Sequence, residues 1–137
     1  MTAVGDILDE WDFTVEKGKV REFARAVQDP HGMVSNIAPP TFPVVASAAF
    51  VERLIDRLGL DRTRTVHGEH TYEYAEPIKV GDTLHCVARM ASDETKAGKR
   101  GGTMRMITTE VAFTSARTGQ TVCRETMLSI EKGAVGS

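Results

Sequence analysis

The segment that follows Pro43 constrains the fold more than any other part of this 137-residue chain. Proline suits the first position of a helix, where its missing N–H costs nothing, and Gly59 suits the position just after a last turn. Between them the pattern predicts a helix whose first half is apolar nearly all round, because charged residues appear only from Glu52 onward. Its apolar positions are Val44, Val45, Ala48, Ala49, Val51, Leu54, Ile55 and Leu58. Such a helix has to be covered on several sides, so we expect it at the centre of the domain.

Alternating apolar and polar residues predict strands on both sides of that helix. A short strand at residues 11–15 comes before a helix at 16–27, for which Thr14 is the expected N-cap. Four longer strands follow the buried helix, at residues 66–74, 84–90, 104–115 and 121–130, and the charged, glycine-bearing residues 92–102 are expected to form a hairpin loop. The order favours an α+β fold in which one curved antiparallel sheet wraps around the central helix. Since one sheet leaves a side of the helix open, we expect a second copy of the fold to cover it as a dimer.

Composition and charge limit the classes of function. The composition is ordinary for one soluble domain, with a hydrophobic content of 41%, a charged content of 26% and a net charge of −2. We assign this domain to residues 1–132 and expect a flexible tail at 133–137. Nothing in this charge balance suggests nucleic acid or an anionic membrane as a partner. The acidic N-terminal segment does not resemble a signal peptide, so we expect a cytoplasmic protein. Cys86 and Cys123 lie far apart without a CxxC pattern, which argues against a zinc or redox motif.

The segment from Gln28 to Pro43 carries the candidate acid–base groups. Asp29 and His31 are two residues apart and precede a proline-rich entry to the buried helix. Asp29 could be a general base, or an Asp-Pro turn residue that ends the preceding helix. His31 could be a displaced catalytic base, or a solvated loop histidine.

Four sequence strings together resemble one family: V-E-K-G-K-V-R-E-F-A-R-A-V-Q-D at residues 15–29, A-P-P-T-F-P at 38–43, H-G-E-H-T-Y-E-Y at 67–74 and P-I-K-V-G-D-T-L at 77–84. In this order they resemble the MaoC-like acyl dehydratases of the hotdog fold, in the branch of the N-terminal, fatty-acid-synthase-type dehydratase half. The resemblance covers nearly the whole chain. It implies a single hotdog domain that dimerises as a double hotdog.

The resemblance also implies an activity. Family members add water to, or remove it from, an enoyl or (3R)-hydroxyacyl thioester on coenzyme A or acyl carrier protein, without a cofactor or metal. Active members use an Asp-x-x-x-x-His pair; here Asp29 matches the first position, but Val34 occupies the second and cannot carry a proton. The favoured interpretation is therefore a subunit of an (R)-specific hydratase or dehydratase that lacks the pair and joins a catalytic hotdog subunit. The alternatives are a stand-alone hydratase using Asp29 and His31, a non-catalytic homodimer that binds acyl thioesters, and a thioesterase.

Further site residues follow from the same resemblance. The expected substrate-binding residues are Pro40, Thr41, Phe42, Ser47 and His67. Ser47 could contact the ligand or bond back to its own helix. Lys96, Lys99 and Arg100 at the hairpin tip are candidates for the phosphates of coenzyme A or for an acidic carrier protein, or form a solvated loop. His67 and His70, three apart on a strand, are expected to point to opposite faces, so that they form no metal pair.

Overall fold

One five-stranded antiparallel sheet curves around a central helix in the computed structural model, which describes residues 2–99 and 101–133. The strand order across the sheet is β1-β3-β4-β5-β2, so β1 and β2 are the two edge strands. The elements are β1 (Ile7–Thr14), α1 (Lys17–Ala26), α2 (Pro30–Val34), α3 (Pro43–Leu58), β2 (Thr65–Tyr74), β3 (Thr83–Ala97), β4 (Thr103–Ser115) and β5 (Thr121–Lys132). This is the expected α+β hotdog architecture.

Helix α3 supplies the centre of the core, as its apolar pattern predicts. Pro43 is its first residue, and Gly59 follows its last turn with a left-handed φ of 64°. Phe50 and Leu54 are almost fully buried against the sheet. Trp11 of β1 stacks on Phe50 with ring centroids 5.6 Å apart, and its indole N–H donates to the Ala46 carbonyl at 3.0 Å. These contacts fix one side of the helix against β1.

The opposite side of α3 carries an uncovered apolar stripe. Val44 and Ala48 are exposed, and Val51 and Ile55 are half-buried. These positions are three or four residues apart and therefore share one helix face. Ser47 contacts β5, and the stripe lies further round the helix from β1, so it is on the side of α3 nearer the β5 and β2 end of the sheet. We call this surface the α3–β2 face; it comprises Val44, Ala48, Val51 and Ile55 of α3 and His67, His70 and Tyr72 of β2.

Strand β3 is longer than the sequence predicts. It continues through residues 92–97, which were expected to be loop, and the hairpin connection shrinks to residues 98–102. A cross-strand pair accounts for the difference: the Arg105 guanidinium of β4 donates to both Asp93 carboxylate oxygens, at 3.0 and 2.8 Å. The two charges neutralise each other on the sheet, so a charged stretch can remain in a strand.

The start of α1 also differs from expectation. The N-cap is Glu16, which makes no side-chain cap bond, whereas the predicted cap Thr14 is the last residue of β1 and pairs with Thr83. Arg100 and residues 134–137 lie outside the described residues, so the predicted tail does too, apart from Gly133. Among the helices that the structure describes, none combines the length and apolarity needed to cross a membrane.

Candidate functional site

An open groove of about 550 Å³ lies beside the N-terminus of α3. Its walls come from α2, from the proline-rich segment that enters α3 and from the end of β2, and they include Asp29, His31, Ile37, Pro40, Tyr74 and Pro77. Two backbone hydrogen bonds hold the entry segment in place, from Ala38 N to the Ile78 carbonyl and from Val80 N to the Asn36 carbonyl, both at 2.8 Å. The groove is thus a built feature of the fold, with a predominantly apolar lining suited to an acyl chain.

Tyr74 joins the two walls of the groove. Its hydroxyl donates to the Pro40 carbonyl at 2.5 Å, linking the end of β2 to the entry of α3. Burial, and next the nearby Cys123, raise the pKa of Tyr74, so that the phenol stays neutral and remains a donor across the physiological range. Pro40, predicted to bind substrate, therefore lines the groove and is held there by Tyr74.

Asp29 and His31 line the same groove, but Asp29 is engaged in local structure. It is the N-cap of α2, and its Oδ1 accepts the backbone N–H of His31 at 3.0 Å. Pro30 occupies the first position of α2. It was expected only to end the preceding helix, and it also begins the next one. Val34, at the position of the family histidine, is 83% exposed. In the structure Asp29 therefore has a local structural role, as the N-cap of α2 at the edge of the groove.

Phe42 and Thr41 do not line the groove, unlike Pro40. Phe42 is fully buried and packs edge-to-face on Phe13 and Phe23, with ring centroids 6.1 and 5.7 Å apart. It was expected to contact substrate, yet it anchors α3 to β1 and α1 instead, because the chain turns inward immediately before Pro43. Thr41 is exposed, and its carbonyl accepts the Val44 N–H at the first turn of α3.

Ser47 belongs to a buried polar cluster that the sequence patterns did not reveal. Its hydroxyl donates to Glu125 Oε2 of β5 at 3.1 Å, and Glu125 is only 2% exposed. His70 Nε2 lies 2.9 Å from the same oxygen, although its N–H is not directed along that line, so the contact is electrostatic rather than an aligned hydrogen bond. Burial, and next the charge of Glu125, raise the pKa of the adjacent Tyr72 phenol. An inward-facing carboxylate in the alternating pattern of β5 was the available sequence signal.

His67 and His70 were expected on opposite faces of β2, and this prediction is wrong. The register shifts between His67 and Glu69, and this bulge at Gly68 restores both rings to one side. His70 Nδ1 lies 3.1 Å from His67 Nε2, and the His70 ring stacks on Tyr72. A side chain at Gly68 would meet Ile130 at 2.9 Å, which shows how closely the bulge approaches β5. Within the described residues no group of three or more metal-ligating side chains converges.

The lysines of the hairpin tip lie far from the groove. Tyr74 pairs with Cys123, Cys123 with Phe113, and Phe113 with Cys86 in one row across the sheet. Lys96 lies ten residues beyond Cys86 on β3, which corresponds to about 33 Å at the rise of ~3.3 Å per residue in a strand. Lys96 and Lys99 are exposed. The structure therefore does not bring Lys96 and Lys99 to the groove.

Comparisons with known proteins agree with this architecture. The family profile of the FAS1-like, dehydratase domain region matches residues 2–125. A UPF0336 protein of Thermobifida fusca (strain YX) is 31% identical over 136 aligned residues, covering 89% of this chain and 86% of the relative.

Two solved structures are similar. One, a C-terminally truncated HadBC (3R-hydroxyacyl-ACP dehydratase) complex from Mycobacterium tuberculosis, has a TM-score of 0.76 at 19% identity over 95% of this chain and 98% of its own. A MaoC-like dehydratase has a TM-score of 0.80 at 25% identity over 98% of this chain and 43% of its own. The sequence match and the fold together show that this chain belongs to the FAS1-like dehydratase-domain family of MaoC-like hotdog proteins.

Proposed function

We propose that this protein is an acyl-thioester-binding subunit of an (R)-specific enoyl-thioester hydratase or (3R)-hydroxyacyl-thioester dehydratase, and that a second hotdog subunit supplies the Asp–His pair. The observation that carries the proposal is what occupies the two positions of the family motif. Asp29 caps α2, and the exposed Val34 stands where the second proton-carrying group belongs. The apolar groove at the α3 N-terminus meanwhile remains intact.

The uncovered α3–β2 face supports pairing with a second subunit. Apolar residues there meet solvent in the protomer, and the outer edge of β2 has no strand beside it in the described sheet. An edge strand next to an apolar helix face is a natural surface for another sheet and helix. The similar HadBC structure is a complex of a (3R)-hydroxyacyl-ACP dehydratase, which fits this arrangement.

Hydration of crotonyl-CoA tests the proposal. The purified chain alone is expected to be inactive, and co-expression with a hotdog subunit that carries an intact Asp-x-x-x-x-His is expected to give a stable complex with activity. Asp29→Ala and His31→Ala should then leave the activity of that complex within about twofold, because neither side chain supplies the proton. Activity of the chain alone that disappears in both variants would instead establish a stand-alone hydratase using Asp29 and His31.

A stable homodimer that forms no complex and binds no crotonyl-CoA would contradict both activities. It would favour a different interaction role for the same fold. Size-exclusion chromatography with light scattering, run beside the assay, separates these outcomes.

A further inference from the structure

Helix α1 carries a row of cations that neither the groove nor the family motif uses. Lys17, Arg21 and Arg25 follow one another at intervals of four residues, so they share one side of the helix. All three are exposed, and the row extends about 12 Å along the helix axis. We call this row the α1 stripe.

The α1 stripe has no acidic partner inside the described protomer. Among the ion pairs of residues 2–99 and 101–133, none involves its three cations, and Glu16 at the N-cap of α1 pairs with Lys19, at 3.6 Å. Several arginines elsewhere do pair with a carboxylate, namely Arg53, Arg62, Arg64, Arg105 and Arg124. The charges of the stripe are therefore available to another molecule.

The placement of these cations works against the stability of α1. Like charges four residues apart repel one another. Lys17 is the first residue of the helix, where the dipole favours acidic groups, and the first turn contains no acidic residue. Arg25 in the last turn is the exception that suits the dipole. A cost that no contact within the protomer offsets indicates a role for the stripe outside it.

Helix α2 places the α1 stripe beside the groove. Ala24 of α1 lies directly behind the groove wall, because a side chain added at the groove-lining Gly32 would meet Ala24 Cβ at 2.8 Å. The three cations lie roughly 20°, 60° and 100° round the helix from Ala24, all in one direction. Lys19 lies about 140° round in the other direction, with its Nζ 5.0 Å from the centroid of the Phe13 ring of β1. The stripe therefore runs along the flank of α1 on which α2 packs.

The shape of the stripe favours a protein partner over a nucleotide. The phosphates of coenzyme A are bound best where several donors converge, as at a helix N-terminus or around an arginine fork. The α1 stripe is instead a straight, exposed row on the convex surface of a helix. Such a row suits an acidic face of similar length on another protein, which it would attract and orient.

We propose that Lys17, Arg21 and Arg25 dock the acidic surface of an acyl carrier protein, whose acyl-bearing arm then enters the groove beside α2. The inference rests on the proposed function, because it assigns the carrier of the same thioester. The carrier-bound thioester is thus the substrate, and a coenzyme A thioester makes contacts with the groove but not with the stripe.

Kinetics of the two-subunit complex with one acyl group on two carriers test the assignment. Arg21→Glu combined with Arg25→Glu is expected to raise KM for the crotonyl carrier protein on the order of tenfold, with kcat and the KM for crotonyl-CoA within about twofold. Lys96→Glu combined with Lys99→Glu is the matched control, because it changes the net charge equally at exposed positions far from the groove. Equal effects of the two double variants, or an equal rise in KM for crotonyl-CoA, would overturn the inference.

Binding of the carrier to the chain alone separates this inference from the proposed function. A crotonyl-loaded bacterial acyl carrier protein is expected to bind the wild type and the control variant alike, and Arg21→Glu with Arg25→Glu should raise Kd on the order of tenfold. The wild-type Kd should also rise with ionic strength, and the Kd of the stripe variant much less. No binding, or binding that the stripe variant leaves unchanged, would overturn the docking surface even if the complex hydrated crotonyl-CoA. Stripe-dependent binding by a chain whose complex hydrates neither thioester would uphold the docking surface and overturn the proposed function.

Size-exclusion chromatography of the two-subunit complex checks whether the catalytic subunit occupies the stripe instead. Both double variants are expected to form the complex as the wild type does. Loss of the complex in Arg21→Glu with Arg25→Glu, but not in the control, would assign the stripe to the catalytic subunit and overturn the inference. Arg21→Gln with Arg25→Gln removes the same charges without adding new ones, so it keeps every comparison valid if the acidic variant does not fold.

Discussion

At the scale of single residues, Glu125 is the side chain that organises the interior next to the candidate site. It accepts from Ser47 of α3 and pairs with His70 of β2 while it sits on β5, so one carboxylate joins three elements. Neither Ser47 nor His70 could be assigned this partner from sequence, because the three positions are brought together only by the packing of α3 on the sheet. The signal available beforehand was a glutamate at an inward position of a strand.

Ser47→Ala is expected to destabilise the protein by about 1–3 kcal/mol, because it removes a donor from a buried carboxylate. Urea denaturation of the wild type, Ser47→Ala, Glu125→Gln and the double variant would measure this change in the free energy of unfolding. In this double-mutant cycle Ser47→Ala should cost less when residue 125 is uncharged. Strict additivity would show that the 3.1 Å contact makes no specific contribution.

At the scale of elements, the bulge in β2 and the extension of β3 are the two departures from the alternating pattern. Strand alternation places His67 and His70 on opposite faces, but the register shift at Gly68 inserts one residue and reverses that outcome. Residues 92–97 look like a loop because they are charged, and they form a strand because Arg105 neutralises Asp93 across the sheet. Sequence periodicity records neither a bulge nor a cross-strand partner.

The Asp93–Arg105 pair predicts a dependence of stability on pH. The hydrogen bonds from Arg105 lower the pKa of Asp93 below its unfolded value near 4, so the pair stabilises the fold above that pH. The stabilisation is lost as the pH falls through the still lower folded pKa. Asp93→Asn should therefore destabilise the protein near neutrality, by no more than about 1 kcal/mol for this partly exposed pair, and make little difference at acid pH.

Thermal unfolding of Asp93→Asn across this pH range, with Glu94→Gln as a control at the next residue, would check the expectation. Among residues 2–99 and 101–133, the one ion pair of Glu94 is a long contact of 3.9 Å to Lys96. An Asp93→Asn effect that does not change between neutral and acid pH would contradict the assignment.

At the scale of the whole molecule, the α3–β2 face is the apolar surface that a single protomer leaves exposed to solvent. The prediction that one sheet would leave a side of the central helix open agrees with the exposed Val44 and Ala48. We propose that a second subunit covers this face, and the proposal predicts the effect of a charge placed there. An acidic side chain in the middle of the stripe would be buried without a partner upon association.

Ala48→Glu is expected to weaken association, either of two copies of this chain or of this chain with a catalytic hotdog subunit. Burial of the unpaired carboxylate should raise Kd tenfold or more, which corresponds to a loss of binding free energy of about 1.4 kcal/mol or above. Ala49→Glu is a matched control, because Ala49 is also exposed and lies one residue further round the same helix. Sedimentation velocity would compare the two variants. Equal effects, or no effect from Ala48→Glu, would show that the stripe is not the interface.

The sequence by itself determined the central helix, the strand order along the chain and the family, because these follow from local periodicity and from strings that keep their spacing. It also showed that Val34 replaces the proton-carrying partner of Asp29. The tertiary structure alone decided that Phe42 belongs to the core and that Glu125, His70 and His67 form one line. Those outcomes depend on the packing of separate elements, such as Phe42 against Phe13 and Phe23, and on one bulge in β2, which no local pattern encodes.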